Sequence, residues 1–375
     1  MKILYTATVL SHICQFHLPY LQMLKAQGHE VHVAAHDNLA EKNGLQLKYT
    51  DKFIEIPFAR SPASPDNLRA YKQLKKLINA EHYDVILCNT PMGGIVTRLA
   101  AKKARKSGTK VIYMAHGFHF YKGASKKAWL VFYPIEKYMA RHCDVLVTIN
   151  EEDYALAKAK FKNVQVEHIH GVGVRTERYH PATAEECAEM RRAEGLSNDD
   201  FAILCTGELN VNKDQKTLIS AAAKLKDKIP KLKVLLAGNG PLEDELRQQI
   251  KSLGLDGTVK LLGYRTDLEK VVPAMDLIVS CSHREGLPLN IIEAMLCKKP
   301  LVASVNRGHK ELVQDGVNGY LFTAGDVDKL AERIEKLYGN EAQRNSFGEE
   351  GRKIAENYTV SAVKEELVGI LIQGN

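Results

Sequence analysis

Two glutamates eight residues apart, Glu285 and Glu293, carry the clearest chemistry in the chain, within Arg284-Glu285-Gly286-Leu287-Pro288-Leu289-Asn290-Ile291-Ile292-Glu293-Ala294-Met295. The apolar stretch 276–280 before them and Pro288 at the head of an amphipathic segment predict strand, tight loop and helix. Unpaired N–H groups in the first turn of such a helix attract phosphate or sugar oxygens lying over Gly286, Leu287, Pro288 and Leu289. Carboxylates beside an anion repel it. Glu285 at the loop lip and Glu293 on the helix therefore make better sense as acceptors for sugar and ribose hydroxyls, the chemistry of a nucleotide sugar. At this spacing alone a capping glutamate and a solvated helix glutamate are the ordinary explanation, so context has to decide.

A diphosphate needs a cation. Lys213 follows the strand-like run 201–206 and the loop Gly207-Glu208-Leu209-Asn210-Val211-Asn212, and a lysine at a helix start near a strand end is well placed as a point charge. Gly238 and Gly240, in Gly238-Asn239-Gly240-Pro241, form a strand-to-helix turn. A dinucleotide fingerprint is weak there, because no third glycine is in phase and no ribose-binding acid follows. Gly263-Tyr264-Arg265 ends the next strand. His116 lies in a glycine loop after a strand, with His119 as its local rival, and Ser11 and His12 sit in the first βα loop. Asp326-Val327-Asp328 formally matches a metal-holding Asp-x-Asp, but it directly precedes an amphipathic helix, where Asp is a favoured N-cap.

The elements that must position these groups alternate. Strands are predicted at 2–9, 30–35, 52–56, 84–88, 110–114 and 144–149, separated by helices at 16–27, 66–80, 92–107, 126–141 and 151–161. After an aperiodic linker at 168–181 a second series follows. Its strands are at 201–206, 232–238, 258–262, 276–280 and 300–304, and its helices at 213–227, 242–253, 266–273, 288–297, 309–314 and 326–338. Such alternation implies α/β architecture, two Rossmann-like doubly wound parallel-sheet domains. Ligands of such sheets bind beyond the carboxyl ends of the strands, so a cleft between the halves is the expected site.

The Glu, seven residues, Glu pattern of EGLPLNIIEAM, continued by KKPLVASVNRGHKELVQDGVNGYLF, resembles the signature of family 4 retaining glycosyltransferases with the GT-B fold. The run NTPMGGIVTRLAAKKAR with AHGFHFYKG is similar to bacterial transferases that build capsular or biofilm exopolysaccharide on an undecaprenyl-diphosphate carrier. The likeness covers most of the chain from residue 200 onward and, more loosely, the first half. It implies an acceptor-side domain at 1–172, with a C-terminal helix at about 358–375 packing back on it, and a nucleotide-sugar-binding domain at 173–357. It implies catalytic roles for His116, Lys213 and Glu285, His116 contacting the donor sugar near the reacting carbon. Donor contacts would come from Gly207, Glu208, Lys213, Gly238, Gly240, Tyr264, Arg265, Glu285, Gly286, Leu287, Pro288, Leu289 and Glu293, and acceptor contacts from Ser11, His12 and His119. The expected activity is hexosyl or N-acetylhexosaminyl transfer from a UDP-sugar to a lipid-carrier-linked or other glycan. No cofactor and no essential metal are expected, and the donor's own phosphate oxygen would take the acceptor proton. One position departs from the pattern: Glu208 stands where relatives carry an arginine, so Arg284, Lys216 or Asn210 would have to compensate. The alternatives are a nucleotide-sugar 2-epimerase with hydrolysis as its side reaction, and a non-catalytic partner subunit.

Composition sets the outer bounds. A chain of 375 residues suits two domains. The seven cysteines include no C-x-x-C pair and fit reduced core thiols in a cytoplasmic protein. No stretch approaches the ~20 apolar residues of a spanning helix, and Met1 to Thr6 do not read as a signal peptide. Residues 1–180 hold 26 Lys and Arg against 15 Asp and Glu, whereas the remainder holds 26 against 30. The basic excess concentrates in 98–106 and 122–133. The latter interleaves Lys122, Lys126 and Lys127 with Trp129, Phe132 and Tyr133, a combination that settles at an anionic membrane surface, against the alternative of a solvated helix face. The acidic half and the lack of a recognition module argue against nucleic acid.

Overall fold

The computed structural model describes residues 1–41 and 44–372. Their contacts divide into two units, Met1–Gly173 with the segment from Val360 onward, and Val174–Thr359. The first holds β1 (Lys2–Val9), β2 (Glu30–His36), β3 (Lys52–Glu55), β4 (Val85–Asn89), β5 (Lys110–Ala115), β6 (Val145–Thr148) and β7 (Gln165–His168), in the order β3-β2-β1-β4-β5-β6-β7. The second holds β8 (Phe201–Thr206), β9 (Leu232–Ala237), β10 (Val259–Gly263), β11 (Leu277–Ser280), β12 (Leu301–Ser304) and β13 (Gly319–Phe322), in the order β10-β9-β8-β11-β12-β13. Every strand pair is parallel. Helices cover both faces of such sheets, which is why β4 and β11 are apolar up to their last residues, Asn89 and Ser280, and buried throughout.

Strand order reverses once in each sheet, between β1 and β4 and between β8 and β11. There the connections leave toward opposite faces and open a crevice at the carboxyl ends. Each reversal carries a non-glycine residue with left-handed backbone, Thr90 (φ 64°) after β4 and Asp214 (φ 48°) after β8. Such strain persists only where neighbours hold it. Thr90 Oγ1 accepts from Thr8 N at 2.9 Å and lies 2.7 Å from Thr8 Oγ1. Asp214 accepts from Thr217 Oγ1 at 2.7 Å and faces His283 Nε2 at 3.3 Å. The helix Val360–Ile372 belongs to the first unit: Lys110 Nζ donates to Ile370 O at 2.8 Å, and Glu366 accepts from His170 N at 2.9 Å.

Several elements differ from the sequence expectation. The helix expected at 16–27 is two helices, Leu10–Phe16 and Leu18–Ala26, broken at His17 because Pro19 cannot continue the ladder. Strands β7 and β13 and the helices Ala184–Glu194 and Glu341–Ala355 were not predicted. The first of these helices is too polar for a periodicity test, although its Thr183–Glu186 capping box is a usable start signal. Arg98 is not part of a basic surface run: it is fully buried, paired with Glu136 at 2.7 Å and stacked over Tyr113 at 3.8 Å. In the helix Lys126–Met139, Trp129 and Tyr133 turn inward onto Phe120, while Leu130, Val131, Phe132, Ile135 and Tyr138 are exposed. Asp326 is an N-cap, its side chain accepting from Lys329 N at 2.9 Å.

Candidate active site

In the second unit the residues singled out from sequence meet at the β8/β11 reversal. Lys213 Nζ lies 2.7 Å from Glu285 Oε1, with both side chains largely enclosed. Backbone bonds lace the two loops together: His283 N donates to Asn212 O at 2.8 Å, and Asn212 Nδ2 to Arg284 O at 3.0 Å. Three glycines allow the approach. A Cβ on Gly207 would meet the Lys213 stem at 3.0 Å, one on Gly238 would lie 2.0 Å from Gly207 O, and one on Gly240 would lie 2.3 Å from Leu209 O. Lys213 can therefore lie flat across the floor of the crevice.

The helix Leu289–Leu296 begins beside this pair. Pro288 is its N-cap and no side chain caps it, so its first turn has donors to offer. Leu287 and Pro288 are buried, and Gly286 lies against Gly308, whose added Cβ would be 2.8 Å from Gly286 O and 3.0 Å from Glu285 Cβ. Asn290 Nδ2 ties the helix to β8 through Thr206 Oγ1 at 3.1 Å. Glu293 is half-buried on the same helix. Burial pushes its carboxyl up to about 7, partly offset by the Tyr179 hydroxyl that donates to it and by Arg178, which Glu269 holds at 2.8 Å.

The other expected donor residues are spread wider. Glu208 is exposed and accepts from Asn210 Nδ2 at 2.8 Å. Tyr264 is exposed after Gly263, and the Arg265 guanidinium is committed to Asp267 at 2.8 Å and Glu194 at 2.6 Å. Among the cations weighed for the missing arginine, Lys216 is taken by Glu245. Arg284 is exposed and its side chain has no partner among the described residues. Sequence reasoning missed Arg307, whose Nε donates to Glu285 O at 3.2 Å, and the cluster around His309. His309 Nδ1 lies 2.6 Å from Ser304 O and must carry the proton there. Burial holds its pKa down to about 4, and Nε2 is left as a buried lone pair within the field of Glu285 and Lys213. A Gly-His pair just after a strand end was the available signal.

In the first unit, the helix after β1, the end of β4 and the loop after β5 bring His12, Asn89 and His116 together at the β1/β4 reversal. His12 Nε2 lies 3.2 Å from His116 Nε2, which lies 3.3 Å from Asn89 Oδ1. Burial lowers the pKa of both histidines, His116 to about 4. Ser11 bonds Asn38 through its backbone and hydroxyl, both at 3.0 Å. His119 is not in this group: its ring packs on Phe132 at 4.8 Å. His17, also missed from sequence, stands beside His12 and His116.

Comparison with known proteins agrees with this geometry. Residues 187–354 match the model for glycosyl transferases group 1, and residues 2–150 the model for a glycosyl transferase 4-like family. EpsD of Bacillus subtilis (strain 168), which carries a glycosyltransferase name, is 44% identical over 98% of this chain and 96% of its own length. An Escherichia coli protein named UDP-Gal:alpha-D-GlcNAc-diphosphoundecaprenol alpha-1,3-galactosyltransferase is 25% identical over 80% of this chain and 79% of its own. HepE of Anabaena, solved in complex with UDP and glucose, superposes with a TM-score of 0.80 at 24% identity, covering 99% of each chain, and shares the fold. Identity at the level of the Bacillus relative, along nearly the whole of both chains, makes this protein a member of the group 1, type 4-like glycosyltransferase family, built on the GT-B fold.

Proposed function

We propose that the protein is a retaining glycosyltransferase that moves a hexosyl or N-acetylhexosaminyl group from a UDP-sugar to a growing glycan on an undecaprenyl-diphosphate or similar carrier, in surface or exopolysaccharide synthesis. The Lys213–Glu285 pair carries this reading, because it sets one cation and one hydroxyl acceptor side by side at the strand-order reversal, next to an uncapped helix start. When a donor binds, its diphosphate takes the ammonium and its sugar hydroxyls take the carboxylate, so neither charge is left enclosed and unpaired. Lys213 then stabilises the charge that develops on the leaving nucleotide, and this assignment gives the diphosphate no divalent ion. Glu293 accepts from the ribose, and His116 meets the donor sugar. The donor's phosphate oxygen takes the acceptor proton, so no protein base is required. The names of the relatives support the substrate classes: one acts with UDP-Gal on a diphosphoundecaprenol-linked sugar, and HepE was solved with UDP and glucose.

A lipid-linked acceptor calls for a membrane-facing surface. Among the described residues no helix is long and apolar enough to cross a membrane. The exposed Leu130, Val131, Phe132, Ile135 and Tyr138, flanked by Lys126, Lys127 and Lys137, have the composition of a peripheral anchor.

The test is transfer from UDP-hexoses and UDP-N-acetylhexosamines to undecaprenyl-diphosphate-linked acceptors, with product anomers assigned by NMR. Retained configuration and acceptor-dependent turnover are expected. An inverted product refutes retention, an epimer formed from donor alone makes the protein an epimerase, and binding without turnover, even with membrane extract, makes it a partner subunit.

A further inference from the structure

Three imidazoles of the first unit lie together, and the buried one has fewer hydrogen bonds than its burial demands. His12 and His17 come from the broken helix after β1 and His116 from the loop after β5, and one ligand nitrogen of each lies within 4.8 Å of the others. A single shared proton satisfies the His12–His116 contact. His17 has no such partner. It is 0% exposed, and both of its ring nitrogens are buried without a hydrogen bond, as is the hydroxyl of Tyr5, whose ring lies 5.8 Å away. Buried polar groups are nearly always satisfied, and a cluster of orphans marks a place where an ion or water belongs.

We propose that His12, His17 and His116 form a site for a zinc-class divalent metal ion. Around a tetrahedral ion with metal–nitrogen bonds of about 2.0–2.1 Å, neighbouring ligand atoms stand about 3.3 Å apart. The His12–His116 and His116–Asn89 separations, 3.2 and 3.3 Å, are already at that spacing. A swing of the His17 ring by about 1.5 Å or less closes the remaining edge. Asn89 Oδ1 is aimed at the site, since its amide nitrogen donates to Thr6 O at 3.2 Å. It or a solvent oxygen completes the shell. Three neutral nitrogens and no carboxylate favour zinc, nickel or copper over magnesium or calcium, so this is not a phosphate-bridging ion. Phe16 and Tyr20, with ring centroids 4.9 Å from His12 and 6.2 Å from His17, supply the apolar wall that holds ligand rings in place. Binding would turn His116 from a direct sugar contact into a metal ligand.

The test uses untagged, full-length protein stripped with chelator, titrated with Zn2+ against a chromophoric competitor and with Co2+ followed by its visible absorption. One equivalent should bind, with Co2+ bands of a nitrogen-rich site and a thermal midpoint that rises with Zn2+ but not with Mg2+. His17→Ala and His116→Ala should each weaken binding by roughly 100-fold or more, beyond the 10–100-fold typical of outer-shell changes. Circular dichroism checks that each variant is folded, and His12→Ala, at a half-exposed position, provides the same measurement should His17→Ala fail to fold. Absence of stoichiometric binding overturns the proposal, as does a site that His12→Ala and His116→Ala leave unchanged. UDP binding measured with and without Zn2+ separates this outcome from failure of the donor-site reading.

Discussion

Replacing Glu293 by Gln tests burial and function at one residue. Its carboxyl is raised from the ordinary 4.5 to about 7, chiefly by burial. At 1.36 kcal/mol per pKa unit, a rise of that size corresponds to about 3 kcal/mol against the ionised form. Well below pH 4.5 the group is protonated in both the folded and the unfolded chain and has no effect on stability. As pH climbs from 4.5 toward 7 the unfolded chain ionises first, so the folded state is progressively destabilised relative to it, and above 7 the penalty is fully developed. Gln keeps the shape, accepts from Tyr179 and never ionises. Glu293→Gln should therefore match the parent well below pH 4.5 and exceed it by about 3 kcal/mol at pH 8, read as a shift of about 6–12 °C in thermal unfolding for a unit of this size. UDP binding should respond the other way, because a ribose diol donating to the carboxylate favours the ionised form. Parental affinity should improve as pH rises to about 7 and then level, whereas the Gln variant should be flat and, at pH 8, weaker by about 5- to 100-fold, from 1–3 kcal/mol for a mismatched buried hydroxyl. An equal stability offset at both pH values would refute the burial argument. UDP affinity unchanged in Glu293→Gln would refute the ribose role.

Four further outcomes are expected. Lys213→Ala should lower turnover by about 100-fold or more and destabilise the unit by leaving Glu285 enclosed and unpaired; adding Glu285→Gln should restore stability but not turnover, and near-parental activity would hand the role to Arg284 or Arg307. Glu208→Arg, at an exposed position, should tighten UDP binding and partly rescue Lys213→Ala, as read by titration and steady-state rates; weaker binding would give Glu208 a role of its own. Gly308→Ala should force Gly286 and Glu285 outward, reducing UDP affinity more than it lowers the unfolding midpoint. Neutralising Lys122, Lys126 and Lys127 should weaken co-sedimentation with anionic vesicles by about 1 kcal/mol each at low salt, and equal sedimentation would leave a merely solvated helix face.

Local pattern was enough to read the alternation of strands and helices, the helix behind Glu285, and Asp326 as a cap, because a run of apolar residues or a cap next to a helix is a statement about neighbours in the chain. It was not enough where polar or short segments form elements through tertiary packing, as in the helix Ala184–Glu194 and the four-residue strands β7 and β13. Nor could it pair Lys213 with Glu285, 72 residues apart, set Glu293 against the Tyr179 hydroxyl, turn Arg98 inward onto Tyr113, or gather His12, His17 and His116. The residue types were visible in the sequence. Their partners were decided by strand order, which places loops distant in sequence at one sheet edge and removes the water that would otherwise solvate each group separately.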